Sequence, residues 1–271
     1  LVGRSHECDF PTYLGELPVL TSQAIQDTSL SSKEIDTQVR SSLSEASGSS
    51  PLYSIDEALL ESLKPTVILT QDLCSVCSVD LAVVQRCIDK FAHPVRVVSL
   101  NPYSLDDVLA SVLTVGEAIS LQSEALTVHK DLRERLAYWS QTGKELAARG
   151  APLNVAFVEW MDPIFVGGHW TPELIELAGA SHPLNRRGAK SVPIDPSTLL
   201  ESDPDFLIVS PCGFGLKETS SDWSSLTDND WWERLRCVRE GKVAIVDGNQ
   251  HFNRPGPRLL DALQFLVGLL H

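Results

Sequence analysis

The chain of 271 residues is 43% hydrophobic and 21% charged, an ordinary globular composition, and is long enough for two lobes of about 100 to 130 residues and a connector. Its 36 acidic against 22 basic side chains give a net charge of −14, which argues against nucleic acid and anionic lipid as partners, because like charge repels before specific contacts form. No apolar run approaches the ~18 residues of a membrane-spanning helix, and six cysteines do not make a disulfide-dense scaffold.

The chain opens on the strand-like Leu1-Val2-Gly3-Arg4. It shows no initiator Met and no basic-then-apolar targeting segment, so a cytoplasmic or organellar location is favoured over a periplasmic one. Residues 27–51 are Ser-rich and poorly periodic and read as a surface excursion with a short helical stretch. Ser54-Ile55-Asp56-Glu57 has the form of a capping box opening a helix; Lys64-Pro65 stops it, and residues 66–70 form a buried strand. A helix over 79–91, a strand over 95–99 and a helix opened by Ser104 continue the alternation, which implies a mainly parallel sheet. Residues 121–149 contain no proline and place Leu126, Leu132, Leu136, Trp139 and Leu146 among charges, so one helix of roughly 40 Å is expected, with Gly143 as its weak point. After it come a strand at 154–158, helices opened by Thr171-Pro172 and Asp195-Pro196, strands at 206–209 and 243–246, and a final helix over 257–270. The expected architecture is α/β: a first lobe over 1–119, a spine helix over 120–150 and a second lobe over 151–271.

Ligands of open parallel sheets bind beyond the carboxyl ends of the strands. The residues there are Ser5-His6-Glu7-Cys8-Asp9, Gln71-Asp72-Leu73-Cys74-Ser75-Val76-Cys77, Glu159-Trp160-Met161-Asp162, Ser210-Pro211-Cys212-Gly213-Phe214-Gly215 and Asp247-Gly248-Asn249-Gln250-His251-Phe252. If both lobes present that edge to a shared cleft, the result is a large aromatic-lined pocket with a few orienting polar groups. Glu159, Trp160, Asp162, His169 and Trp170 fit a ligand wall, with flat faces for a macrocycle and with acid and imidazole to orient it. His6, Cys8, Cys74 and Cys77 have the donor types of a soft-metal site, although one C-x-x-C is half of a zinc-ribbon pattern; the alternatives are small packed thiols or a local Cys74–Cys77 disulfide. Trp223, Trp231, Trp232, Cys87 and Cys237 read as packing residues. A thiol enzyme or hydrolase would use Cys8 or Cys212 with His6, His169 or His251 as base, but no nucleophile elbow, metalloprotease helix or dinucleotide fingerprint accompanies them.

The segment Val2-Gly3-Arg4-Ser5-His6-Glu7-Cys8-Asp9-Phe10-Pro11, the Leu63-Lys64-Pro65-Thr66-Val67-Ile68-Leu69 turn from helix to strand, and Asp261-Ala262-Leu263 resemble the vitamin B12 and iron-siderophore substrate-binding proteins. More narrowly, His6-Glu7-Cys8-Asp9 with Glu159-Trp160-Met161-Asp162-Pro163 and Gly167-Gly168-His169-Trp170 is similar to the branch described as cobalamin-binding-like. The resemblance spans nearly the whole chain and lacks the first strand and helix that precede Leu1 in those relatives. It implies a monomeric two-lobed binding protein with a rigid spine helix and no catalysis, holding a corrinoid or related metal chelate as ligand and requiring no cofactor. It also implies that Tyr53, His251 and Phe252 line the cleft. A membrane permease would be a partner if each lobe carried an acidic docking residue. Asp56 or Glu57 supplies one on the first lobe, whereas Asp195-Pro196-Ser197-Thr198 on the second has no carboxylate at the corresponding position. A thiol-dependent metal-binding or metal-sensing protein remains the alternative.

Overall fold

The computed structural model describes residues 1–25, 29–45, 52–71 and 81–271. In chain order the strands and helices are β1 (Thr21–Gln23), α1 (Ser32–Glu45), β2 (Tyr53–Ile55), α2 (Glu57–Ser62), β3 (Val67–Thr70), α3 (Leu81–Ile88), β4 (Arg96–Ser99), α4 (Leu105–Ala118) and α5 (Gln122–Ala147). They continue with β5 (Val155–Trp160), β6 (Phe165–Val166), α6 (Thr171–Leu177), β7 (Val192–Pro193), α7 (Pro196–Glu201), β8 (Phe206–Val209), α8 (Leu216–Ser221), α9 (Ser224–Thr227), α10 (Arg236–Arg239), β9 (Val243–Ile245) and α11 (Leu259–Leu270). The chain divides into two compact units. The first holds Leu1–Thr28, Thr37–Asn101 and Thr114–Leu121; the second holds Ser29–Asp36, Pro102–Leu113 and Gln122–His271.

In the first unit β3 and β4 pair in parallel, Val67 opposite Arg96 through Thr70 opposite Ser99, as their apolar runs predict. β1 and β2 pair antiparallel. Two local readings are corrected. The strand expected over 1–4 reduces to a single bridge between Arg4 and Val19. The cap of α2 is Asp56, whose Oδ1 accepts from the Leu59 amide at 2.9 Å, while Ser54 lies inside β2 and pairs with Ser22. Asp is as good a cap as Ser, and the β1 partner had already claimed Ser54 for a strand.

The second unit is built on a five-stranded sheet in the order β7-β6-β5-β8-β9. β5, β8 and β9 run parallel, and β6 and β7 add an antiparallel edge. Buried on both faces, β5 reads as an unbroken apolar run: Val155, Ala156, Phe157 and Val158 are all at most 1% exposed. Ala156 and Val158 face a core with Leu199 of α7, Leu207, Val209, Trp232, Leu235 and Cys237. On the alternate face Phe157 meets Phe252 at 5.2 Å between ring centroids, and Phe252 meets Phe265 of α11 at 6.3 Å. Trp223 and Trp231 pack edge-on to Trp232, the structural role expected of them.

The long helix forms as expected over 26 residues, and Gly143 does not weaken it. Gly143 is buried against the end of α6: a Cβ there would lie 2.5 Å from the Leu177 carbonyl oxygen. Gly179, at φ 87°, ends α6 in the left-handed conformation, and its own missing Cβ leaves room for the Gly143 carbonyl. Two glycines thus allow α5 and α6 to meet backbone to backbone.

The Ser-rich excursion contains a fourteen-residue helix, α1. Ser31 and Glu34 form a reciprocal capping box, with the Ser31 amide donating to Glu34 Oε2 at 2.8 Å and the Glu34 amide to Ser31 Oγ at 3.3 Å. The first helical residue, Ser32, is fully buried; its amide donates to Asp222 Oδ2 at 2.8 Å and its Oγ accepts from the Asp162 amide at 3.1 Å.

Candidate functional site

In the second unit the carboxyl ends of β5, β8 and β9 form one continuous edge, because hydrogen bonding carries on beyond the strands. The Ser210 amide donates to the Val158 carbonyl at 2.8 Å, the Cys212 amide to Glu159 at 3.0 Å and the Val246 amide to Val209 at 2.9 Å. Two loops then lock together: the Gly248 and Asn249 amides both donate to the Phe214 carbonyl at 3.1 Å. A Cβ at Gly248 would collide with the Pro211 carbonyl, so only glycine permits that approach. Asp247 Oδ1 accepts from the Gln250 amide at 2.8 Å, capping a π-helical turn over Gly248–Phe252.

On this edge stand Glu159, Trp160 and Cys212, all half-buried. The Trp160 ring leans edge-on against Phe214 at 5.2 Å, which fixes its orientation while part of the ring stays open. Asp162 lies in the turn from β5 into β6, 3.7 Å from the exposed Lys33 ammonium. His251 turns towards α11, where with Val246, Phe252, Asp261 and Phe265 it lines a pocket of about 170 Å³. The strand-end segments read from the sequence contain Phe214 and Asn249 without singling either out as a site residue, and Arg254 was passed over. Arg254 donates to Asn249 Oδ1 at 2.5 Å from beyond the π-helical turn, and only Phe214 and Asn249 carried the signal of lying within a few residues of a strand end.

His169 and Trp170 do not join this edge. The expectation that residues following each strand gather at one end holds for parallel strands, and β6 is antiparallel to β5. The Gly167 amide bonds to the Phe157 carbonyl at 3.0 Å, three residues back from Trp160, or roughly 10 Å from the strand end. Trp170 is 5% exposed and donates its Nε1–H to the Phe252 carbonyl at 2.7 Å; Phe252 is itself 1% exposed. Both expected wall residues are core, with their faces taken by protein. His169 sits at φ 52°, its amide bonded to the Ala189 carbonyl at 2.6 Å, between the rings of Tyr103 and Trp170. Burial, and then the nearby Lys190 charge, hold its imidazole below the ordinary histidine range.

In the first unit the fold brings together His6 and Tyr53, whose rings lie 5.6 Å apart. Thr21 Oγ1 fixes His6, accepting from its amide at 3.0 Å and bonding Nδ1 at 2.6 Å, while Nε2 faces Glu7 Oε1 at 3.6 Å. Cys8 is an exposed free thiol that accepts from Ser5 Oγ at 3.3 Å, and Asp9 is exposed beside it. Gln71 follows β3 and is half-buried; Asp72, Cys74 and Cys77 lie outside the described residues. Among the described residues no group of three His, Cys, Asp or Glu side chains is arranged to hold a metal ion. Glu57, expected as a docking carboxylate, is bound by Lys90 at 2.5 Å, which with the Cys87 thiol holds its carboxyl below the usual range.

His182 was not anticipated. Its ring is buried, and Nδ1 bonds the Val155 carbonyl at 2.9 Å, which places the proton on Nδ1 of a neutral imidazole. Burial lowers its pKa, so the unfolded chain binds a proton that the folded chain refuses. Stability is therefore full above about pH 6.5 and is lost as pH falls from there towards the folded value. Melting temperature followed from pH 7.5 to 5 should drop, and His182→Gln should flatten part of that slope; an unchanged slope would contradict the assignment.

The chain matches the family model described as periplasmic binding protein over residues 52–249. No curated protein matches the sequence. Among solved structures it is similar to an ABC transporter substrate-binding protein from Listeria monocytogenes EGD-e, at 15% identity over 99% of this chain and 90% of that one, with a TM-score of 0.71. It is also similar to a periplasmic heme binding protein from Pseudomonas aeruginosa, at 19% identity over 99% and 84%, TM-score 0.71. A third is the periplasmic vitamin B12 binding protein of Vibrio cholerae, at 17% identity over 100% and 88%, TM-score 0.65. At these identities the likeness is one of fold, two α/β units with a long helix, whereas the family match covers most of the chain. On that match, this chain belongs to the periplasmic binding protein family.

Proposed function

We propose that the chain binds a metal chelate with a broad flat face, a corrinoid or related macrocycle, at the carboxyl edge of β5, β8 and β9, and releases it unchanged. The observation that carries this reading is Trp160, a large aromatic ring only partly buried at the end of a strand whose residues Val155 to Val158 are fully buried. An indole held by one edge against Phe214 offers a rigid apolar face at little entropic cost, and Glu159 and Cys212 beside it supply polar contacts. The ligands named for two of the similar structures, vitamin B12 and heme, are chelates of this shape.

The test is a comparison of two tryptophan variants. Trp160→Ala should weaken chelate binding at least tenfold, as loss of a central aromatic anchor does, while Trp231→Ala, packed edge-on to Trp232, should leave affinity within about twofold. Equal affinity in both variants would remove Trp160 from the site and with it the placement of the ligand.

A further inference from the structure

The first unit contains a second concavity, of about 380 Å³, between β2 and α3. One wall is Tyr53 and Ile55 of β2; the other is Val83 and Arg86, which stand three residues apart on one face of α3, with Lys90 just beyond its end. Glu57 closes the rim, and its carboxylate is matched by Lys90 at 2.5 Å, so that pair is neutral as a unit. Arg86 is different: among the described residues its guanidinium has no hydrogen-bond or ion-pair partner, in a chain carrying 36 acidic side chains. The concavity therefore combines an apolar part, formed by Tyr53, Ile55 and Val83, with one uncompensated cation. A guanidinium presents a fork that matches a carboxylate bidentately.

We propose that this cleft, lined wholly by residues of the first unit, is a binding site for a small monocarboxylate with an apolar body. The carboxylate pairs with Arg86, and the body lies between Tyr53, Ile55 and Val83.

Octanoate, methyl octanoate and the Arg86→Gln variant test it, with amide shifts of isotope-labelled full chain as readout. Octanoate should shift Tyr53, Ser54, Ile55 and Val83 saturably at one site per chain. Arg86→Gln, a change on an exposed helix face, should lower affinity at least tenfold, and methyl octanoate should bind at least tenfold more weakly than the acid. Shifts equal for acid and ester, an undiminished affinity in Arg86→Gln, or no saturation at millimolar octanoate would each overturn the proposal, whatever the outcome for chelates.

Discussion

Replacing Gly143 by alanine should destabilise the second unit by about 2–4 kcal/mol, against the usual sign of such a change within a helix. Glycine to alanine in an open helix gains roughly 1 kcal/mol, because alanine restricts the unfolded backbone and hides the helix from water. Here the new methyl would stand 2.5 Å from the Leu177 carbonyl oxygen and 2.8 Å from the Ala178 carbonyl carbon, the backbone that leads into Gly179. Backbone cannot rotate out of the way as a flexible side chain can, so α5 and α6 must separate and give up the packing they share with each other and with α11. Gly268→Ala in α11 is the control: nothing lies within 4 Å of its added Cβ, and the same substitution should stabilise. Thermal melts of the two variants should move in opposite directions; a shared direction would contradict the backbone contact.

Asp222→Ala should cost about 2–3 kcal/mol. The carboxylate is 7% exposed and serves two donors, the Ser32 amide at 2.8 Å and the Ser225 hydroxyl at 2.5 Å. Removing it leaves the Ser32 amide buried without an acceptor at the first turn of α1, where the helix itself supplies none. Asp222→Asn keeps one acceptor oxygen and should recover about half the loss. Amide hydrogen exchange over residues 32–36 checks the mechanism, since protection there should fall in the alanine variant before the β5–β8 ladder is affected. Unchanged protection would mean that α1 is held by other contacts.

Much of the fold was legible because it follows from period and apolar content. β3, β4, β5, β8 and β9 are short apolar runs, and α5 is a long proline-free amphipathic stretch. What was not legible depended on partners distant in sequence or on elements too short to have a period. β6 is two residues, Phe165 and Val166, and its antiparallel direction alone carries His169 and Trp170 away from the edge they were expected to share. The role of Gly143 was misread because the residues it must accommodate, Leu177 and Gly179, lie in a different helix and its end. The capping box of Ser31 and Glu34 was present in the sequence and was overshadowed by the serine content around it. At the candidate site, Glu159, Trp160 and Cys212 were readable from strand ends, and their adjacency follows from β5 and β8 being parallel neighbours. The proximity of His6 and Tyr53 was not readable, since β1 and β2 create it by tertiary pairing.

The central claim, that the family fold here serves capture of a flat metal chelate, is tested most directly by titrating the unmodified apo-chain with cyanocobalamin, haem and a ferric hydroxamate, following ligand absorbance. A macrocyclic chelate should saturate at one per chain with a dissociation constant in the micromolar range or tighter, about −8 kcal/mol or better, and be recovered chemically unchanged. Absence of saturable binding by both macrocycles, or recovery of an altered ligand, would contradict it.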